Sequence, residues 1–144
     1  GAVWEEIDAK TKTWTIPKER MKAGREHSVP LSQTAWDVLQ QARGLRPDDT
    51  EPTGLIFPGT KNKPISDMTL TQLLRRMQQP YTVHGFRASF RTWGADIAHY
   101  EHDMLEIALS HIVGDATVRA YHRSDMVEKR RKLMAEWAAY LEPG

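Results

Sequence analysis

Before Ser32 the chain carries three short runs rich in aromatic and β-branched residues, Val3-Trp4-Glu5-Glu6-Ile7-Asp8, Thr13-Trp14-Thr15-Ile16-Pro17 and His27-Ser28-Val29-Pro30-Leu31. From Ser32 onward the apolar residues recur at three and four. That change of period separates a few strands from a larger set of helices, because strand side chains alternate while a helix returns to the same face after about 3.6 residues. The expected fold class is α+β: mainly α, with a small antiparallel β-sheet packed at one edge. The connection from Lys18 to Glu26 is long for a tight hairpin and carries Gly24, which puts Lys22 on an exposed, adjustable loop between strands two and three.

The helical part has its own punctuation. Ser32 is an N-cap for a helix with Ala35, Trp36, Leu39 and Ala42 on one face, stopped by Gly44. A polar loop from Arg46 to Gly54 leads to the extended apolar run Leu55-Ile56-Phe57-Pro58-Gly59. Ser66 predicts a helix through about Met77 with Leu70, Leu73, Leu74 and Met77 inside. Thr82 predicts another, from about Val83 to Ala98, with Phe86, Phe90, Trp93 and Ile97 inward. An amphipathic piece follows from Asp103 to Leu109, then a short helix from about Ala116 that carries Tyr121. A last helix, capped by Ser124, runs to Leu141 with Met126, Leu133, Met134 and Trp137 as its stripe.

With 144 residues and 40% hydrophobic content, a single domain with a real core is expected. Cysteine is absent, so neither disulfides nor thiolate metal sites hold the fold, and an intracellular setting is the default. No apolar stretch approaches the roughly 18 residues of a membrane span, and no charged-then-apolar leader opens the chain. The net charge of +1 hides clusters of basic residues at Lys18 to Arg25, Arg75-Arg76, Arg87 to Arg91 and Arg119 to Lys132. Such clustering can make one basic face on a nearly neutral molecule.

Four segments hold residues able to act on a phosphodiester: Met21-Lys22-Ala23-Gly24-Arg25, His84-Gly85-Phe86-Arg87, Leu109-Ser110-His111 with Gly114 behind it, and Ala120-Tyr121-His122-Arg123. Strand cleavage by transesterification needs a nucleophile, donors for the pentavalent phosphate and a proton for the leaving oxygen. A tyrosine phenol can attack and remain as a phosphotyrosyl bond, a guanidinium matches phosphate with paired hydrogen bonds, and a loop lysine has the reach to protonate a 5′ oxygen. Taken singly, each residue has an ordinary reading: a surface tyrosine, a solvated arginine, a helix-end histidine beside the dipole, a surface lysine. Their joint order carries the argument. His99, His102 and Asp103 lack a fourth partner for a metal site, and Ser110-His111 is no hydrolase pair because neighbouring residues point apart.

In order and residue type these segments resemble the C-terminal catalytic domain of tyrosine recombinases, in particular the phage and prophage integrases. Trp4-Glu5-Glu6-Ile7-Asp8, Trp14-Thr15-Ile16-Pro17, Met21-Lys22, Val29-Pro30-Leu31-Ser32 and Tyr121-His122-Arg123-Ser124-Asp125 read like the satellite-phage-type branch, so the resemblance covers nearly the whole chain. It implies the DNA breaking-rejoining fold, N-terminally truncated, with residues 1–144 as a catalytic-domain fragment. The upstream segment bearing the family's first arginine and the core-binding and arm-binding domains would lie elsewhere. Arg46 superficially imitates that first arginine but follows the sheet and first helix, and is rejected as its substitute.

The resemblance makes Tyr121 the nucleophile, Arg87, His84 and His111 the phosphate-holding groups and Lys22 the general acid. Further DNA contacts are expected from Arg25, Arg91 and Arg123. It implies site-specific recombination through a 3′-phosphotyrosyl intermediate, with no cofactor and no metal. The expected partners are duplex DNA attachment sites and other copies of the protein in a synaptic tetramer, in the cytoplasm of a bacterial host, on the nucleoid. Lacking one preorganised donor, the fragment alone is expected to be slower by about 10² to 10³. Two rival readings are a non-catalytic DNA-binding or assembly module of the same fold and a type IB topoisomerase-like strand transferase.

Overall fold

The computed structural model describes residues 1–45, 54–111, 113 and 125–142. Tyr121, Arg123, Arg46, Gly114, the Ser124 cap and the short helix expected from Ala116 lie outside the described residues. The three runs before Ser32 pair as an antiparallel sheet in the order β1 (Ile7–Asp8), β2 (Thr13–Ile16), β3 (His27–Pro30). Trp14 sits opposite Ile7 on one side and Val29 on the other, and Ile16 opposite His27. Much of the first run is not extended: Trp4–Glu6 forms a 3-10 turn. That turn brings the Glu6 carboxylate to the Trp14 Nε1–H at 3.0 Å and to the Arg20 guanidinium at 3.1 Å. Arg20 ends a second 3-10 turn, Lys18–Arg20, so this ion pair anchors the base of the loop carrying Lys22. The loop reverses at Gly24, whose φ of +61° suits a residue without Cβ.

Helix α1 (Gln33–Gly44) starts where Ser32 Oγ accepts the Ala35 N–H at 3.1 Å. Its Leu39 meets Trp4 and Ile56 in a first core, with Ile7, Leu31, Trp36 and Ala42 around it. The extended run expected from Leu55 to Gly59 makes two isolated antiparallel bridges, Leu55 with Val3 and Pro58 with Pro64.

A second core joins α3 (Val83–Thr92), a π turn at Trp93–Ile97, α4 (His102–Ala108) and α5 (Asp125–Leu141). Phe90, Trp93, Leu105 and Leu133 are its buried centre, with Met134 and Trp137 against them. Trp137 meets the Phe90 ring edge-on at 5.5 Å, a favoured aromatic geometry. The Thr82 cap is as expected, its Oγ1 accepting the Gly85 N–H at 3.0 Å. The single helix expected to Ala98 instead changes winding at Trp93, where Ala98 N–H reaches back to Trp93 O at 2.9 Å. At that point Gly94 lies against Leu105. A Cβ on Gly94 would stand 2.3 Å from Leu105 Cδ2, and Leu105 is only 2% exposed, with no room to turn away. Gly94→Ala is therefore expected to lower stability by about 1–3 kcal/mol, read as a fall in urea midpoint with unchanged slope.

Two expectations about burial fail. Leu70, Leu73 and Met77, placed on the inner face of α2 (Met68–Arg76), are 43–56% exposed, and the helix has no buried residue. Phe86 and Ile97 are 53% and 56% exposed. Periodicity reports that a helix has an apolar face; whether a layer covers it depends on other elements, and among the described residues none does. The start of α2 also differs by a turn of detail: Ser66 Oγ accepts from Met68 N–H at 3.1 Å, two residues ahead, and Asp67 is the cap position.

Helix α5 packs on β3, α1 and α4. Its Arg130, 5% exposed, donates through Nη1 to Ser28 O of β3 at 2.9 Å, and Arg131 Nη1 donates to Thr11 O at 2.9 Å. Two guanidinium groups thus fasten the last helix to backbone carbonyls of the sheet region. Among the described residues no helix is long and apolar enough to cross a membrane.

Candidate functional site

Helix α4 ends in a left-handed reversal that fixes His111. Ser110 has φ +61°, its N–H bonds Ile107 O at 2.9 Å, and His111 N–H bonds Glu106 O at 2.8 Å. This is the Schellman arrangement, in which the residue after the left-handed one folds back over the last turn. Glycine usually takes the left-handed place; here serine does. As a result the His111 ring lies over Glu106, with Nδ1 2.5 Å from Glu106 Oε2.

Arg87 reaches the same place from α3. Its Nη2 lies 2.6 Å from His111 Nε2, 24 residues away in sequence, and also donates to Leu109 O. Glu106 is shared, for its Oε1 takes Arg91 Nε–H at 2.7 Å. The four side chains form a continuous line, Arg87, His111, Glu106, Arg91. Hydrogen bonds from Arg91 and then His111 hold the Glu106 carboxyl below its ordinary value, against a smaller opposing effect of burial. Its folded-state pKa being depressed, the ionised form that organises this line is present at neutral pH. It is lost only as pH falls through that lowered value.

The carbonyls at the end of α4 receive a second side chain. His27 of β3, half-buried, hydrogen-bonds the Ala108 backbone. Burial first, then the charge of Arg130, pushes its pKa below 6.5; the Ala108 bond opposes this, and the Arg87 charge adds to it. His27 is thus neutral at physiological pH, and a neutral donor and Arg87 occupy successive carbonyls of the helix end.

Of the residues singled out in the sequence, Arg87 and His111 are brought into contact. His84 lies one turn before Arg87 on α3, exposed, and Lys22 is exposed on the loop between β2 and β3; among the described residues neither hydrogen-bonds to the pair. Arg91 is half exposed and ion-paired to Glu106, and Arg25 is exposed. His102 Nδ1 stands 3.4 Å from Asp103 Oδ1, and its Nε2 stands 3.8 Å from Glu106. The tyrosine hydroxyl of Tyr100 is spoken for, donating to Glu136 at 2.8 Å, and burial with that carboxylate pushes its pKa up to about 12.

Glu106 and His27 were not foreseen. Glu106 could have been suspected only by anticipating the reversal at Ser110, and serine gives no such signal. An exposed guanidinium with an imidazole beside it, backed by a carboxylate, can grip a tetrahedral anion and pass or hold a proton next to it.

Residues 1–128 match the phage integrase family. The chain is 35% identical over 141 residues to prophage integrase IntA of Escherichia coli (strain K12), covering 95% of this chain and 33% of that protein. It is 32% identical over 160 residues to the integrase of Enterobacteria phage P4, covering 98% and 36%. The integrase of Shigella phage Sf6 is 26% identical over 149 residues, with 96% and 36% covered. The chain thus spans about a third of the length of these relatives. No solved structure gives a significant match.

Proposed function

The chain belongs to the phage integrase family, and from that premise we propose that residues 1–144 are the catalytic domain of a tyrosine recombinase that integrates DNA at specific sites. Tyr121 Oη attacks a backbone phosphorus, its proton passing to the His84 imidazole, and forms a 3′-phosphotyrosyl bond as the bond to the 5′ oxygen breaks. The 5′ oxygen departs with a proton from the Lys22 ammonium. Arg87, His84 and His111 hold the non-bridging oxygens as charge builds on them. A 5′ hydroxyl of a second strand then attacks the phosphotyrosyl, releasing Tyr121 and resealing DNA; bond energy is conserved, so no cofactor enters. What supports the reading is the meeting of Arg87 and His111 at one exposed point, from helices far apart in sequence, in the order the family requires.

The partners in this reading are duplex attachment sites, touched also by Arg25, Arg91 and Arg123, and three further copies of the protein in a synapse, in the cytoplasm on the host nucleoid. Among residues 1–144 the first arginine is Arg20, which follows β2, so the family's first arginine, which lies ahead of the opening strand, is not one of them. Residues 1–144 on their own are accordingly slow.

The test is a nicked suicide duplex incubated with the full-length protein, followed by digestion of the trapped adduct. A nucleotide-bearing peptide containing Tyr121 is the expected product; absence of any adduct, with DNA still bound, would leave a non-catalytic binding module. Relaxation of plasmids lacking an attachment site would favour a topoisomerase. Lys22→Ala is expected to slow cleavage by about 10²-fold on ordinary DNA. It should be nearly normal when the leaving 5′ oxygen is replaced by sulfur, which departs without a proton. A defect equal on both substrates would remove Lys22 from the role of acid.

A further inference from the structure

The hydrogen-bonding capacity of the groups around His111 dictates where its proton sits. Arg87 Nη2 can only donate, so His111 Nε2, 2.6 Å away, must accept, and the ring proton is on Nδ1, facing the Glu106 carboxylate at 2.5 Å. Both hydrogens of Arg87 Nη2 are engaged, one by His111 and one by Leu109 O. Nη2 belongs to both edges with which a guanidinium grips an anion in paired fashion. A tetrahedral anion held by two bonds must therefore take Nη2 away from one of these acceptors. Where it takes it from His111, Nε2 is left facing anionic oxygen and needs a second proton to make a bond.

We propose that Glu106 is a positioning residue for His111: it holds the imidazole proton on Nδ1 while the site is empty and balances the charge of the second proton when an anion draws Arg87 from Nε2. The inference deepens the strand-transfer reading and rests on it for its catalytic meaning. The charged groups bonded to the imidazole are Arg87 from α3 and Glu106 from α4; Arg91 from α3 and His102 from α4 stand on Glu106 rather than on the ring, and His27 of β3 lies at the Ala108 backbone under the charges of Arg130 from α5 and of Arg87. Glu106 is the one anion among these. Arg91, bonded to its other oxygen, fixes the carboxylate plane.

The experiment follows the ring nitrogens of His111 by 15N NMR in the full chain, with sodium sulfate as the tetrahedral probe because it does not titrate near neutrality. In the wild type the Nδ1–H tautomer is expected, converting to the doubly protonated ring as sulfate is added at constant pH. In Glu106→Gln the amide can satisfy only one of its two donors, so the ring is expected to move toward the Nε2–H tautomer and to stay singly protonated in sulfate. An unchanged amide fingerprint for the rest of α4 shows that the variant is folded; should Glu106→Gln not fold, the wild-type tautomer and its response to sulfate decide alone. A wild-type Nε2–H tautomer, or a variant indistinguishable from wild type, overturns the proposal.

With DNA, Glu106→Gln is expected to slow adduct formation by about tenfold, as outer partners of a working histidine do, with little change in duplex affinity. Equal adduct rates in variant and wild type would sink the positioning role while leaving strand transfer intact. The expected NMR behaviour in a protein that never forms an adduct would do the reverse.

Discussion

Tyr121→Phe is expected to abolish the covalent protein–DNA adduct altogether while leaving duplex affinity and the urea midpoint where they were. Phenylalanine keeps the ring and loses only the oxygen that would be joined to phosphorus, so no weaker version of the same reaction remains. Cleavage is read on a nicked suicide duplex by the shift of labelled DNA in denaturing gels, and affinity by a native gel at fixed salt, since phosphate contacts make binding salt-dependent. An adduct that persists in Tyr121→Phe would assign the attack to another side chain. Tyr100, its hydroxyl already donated to Glu136, is poorly placed to supply it.

Arg87→Ala should be the next most damaging change, lowering the rate of adduct formation on the order of 10³-fold, or about 4 kcal/mol of transition-state stabilisation. Arg87 is exposed, and its two acceptors, Leu109 O and His111 Nε2, lie at the same surface, where water can replace it. The loss should fall on chemistry and leave thermal stability nearly unaltered. Arg87→Lys is expected to recover little, because an ammonium is a point charge and cannot make paired bonds to phosphate. Single-turnover cleavage at saturating protein separates the two: a variant that regains full rate at high concentration has lost binding only, and Arg87 would then be a docking residue.

Legibility of the sequence followed the locality of the cause. The cap at Ser32, the cap at Thr82 and the long stripe of α5 were readable because each depends on residues within a turn or two. The sheet was readable from three β-rich runs, although Trp4–Glu6 coiled into a 3-10 turn so that Glu6 could serve Trp14 and Arg20 together. Burial was not: Leu70, Leu73, Met77, Phe86 and Ile97 have helical spacing yet stand exposed, since spacing names a face and not its neighbour. In the site, the order of motifs grouped Arg87, His84, His111, Lys22 and Tyr121 through a family resemblance, and of these the structure joins Arg87 and His111. The carboxylate behind it was hidden, because Glu106 reaches His111 only after a non-glycine residue turns left-handed at Ser110.

Strand β3 holds two neighbouring grips: His27 on the backbone of Ala108 and, through Ser28 O, the guanidinium of Arg130. Helices α4 and α5 are thereby tied to neighbouring residues of one strand. A shift of β3 by one residue would pull on both helices at once, so the register of this small sheet also sets the spacing between the end of α4 and the start of α5.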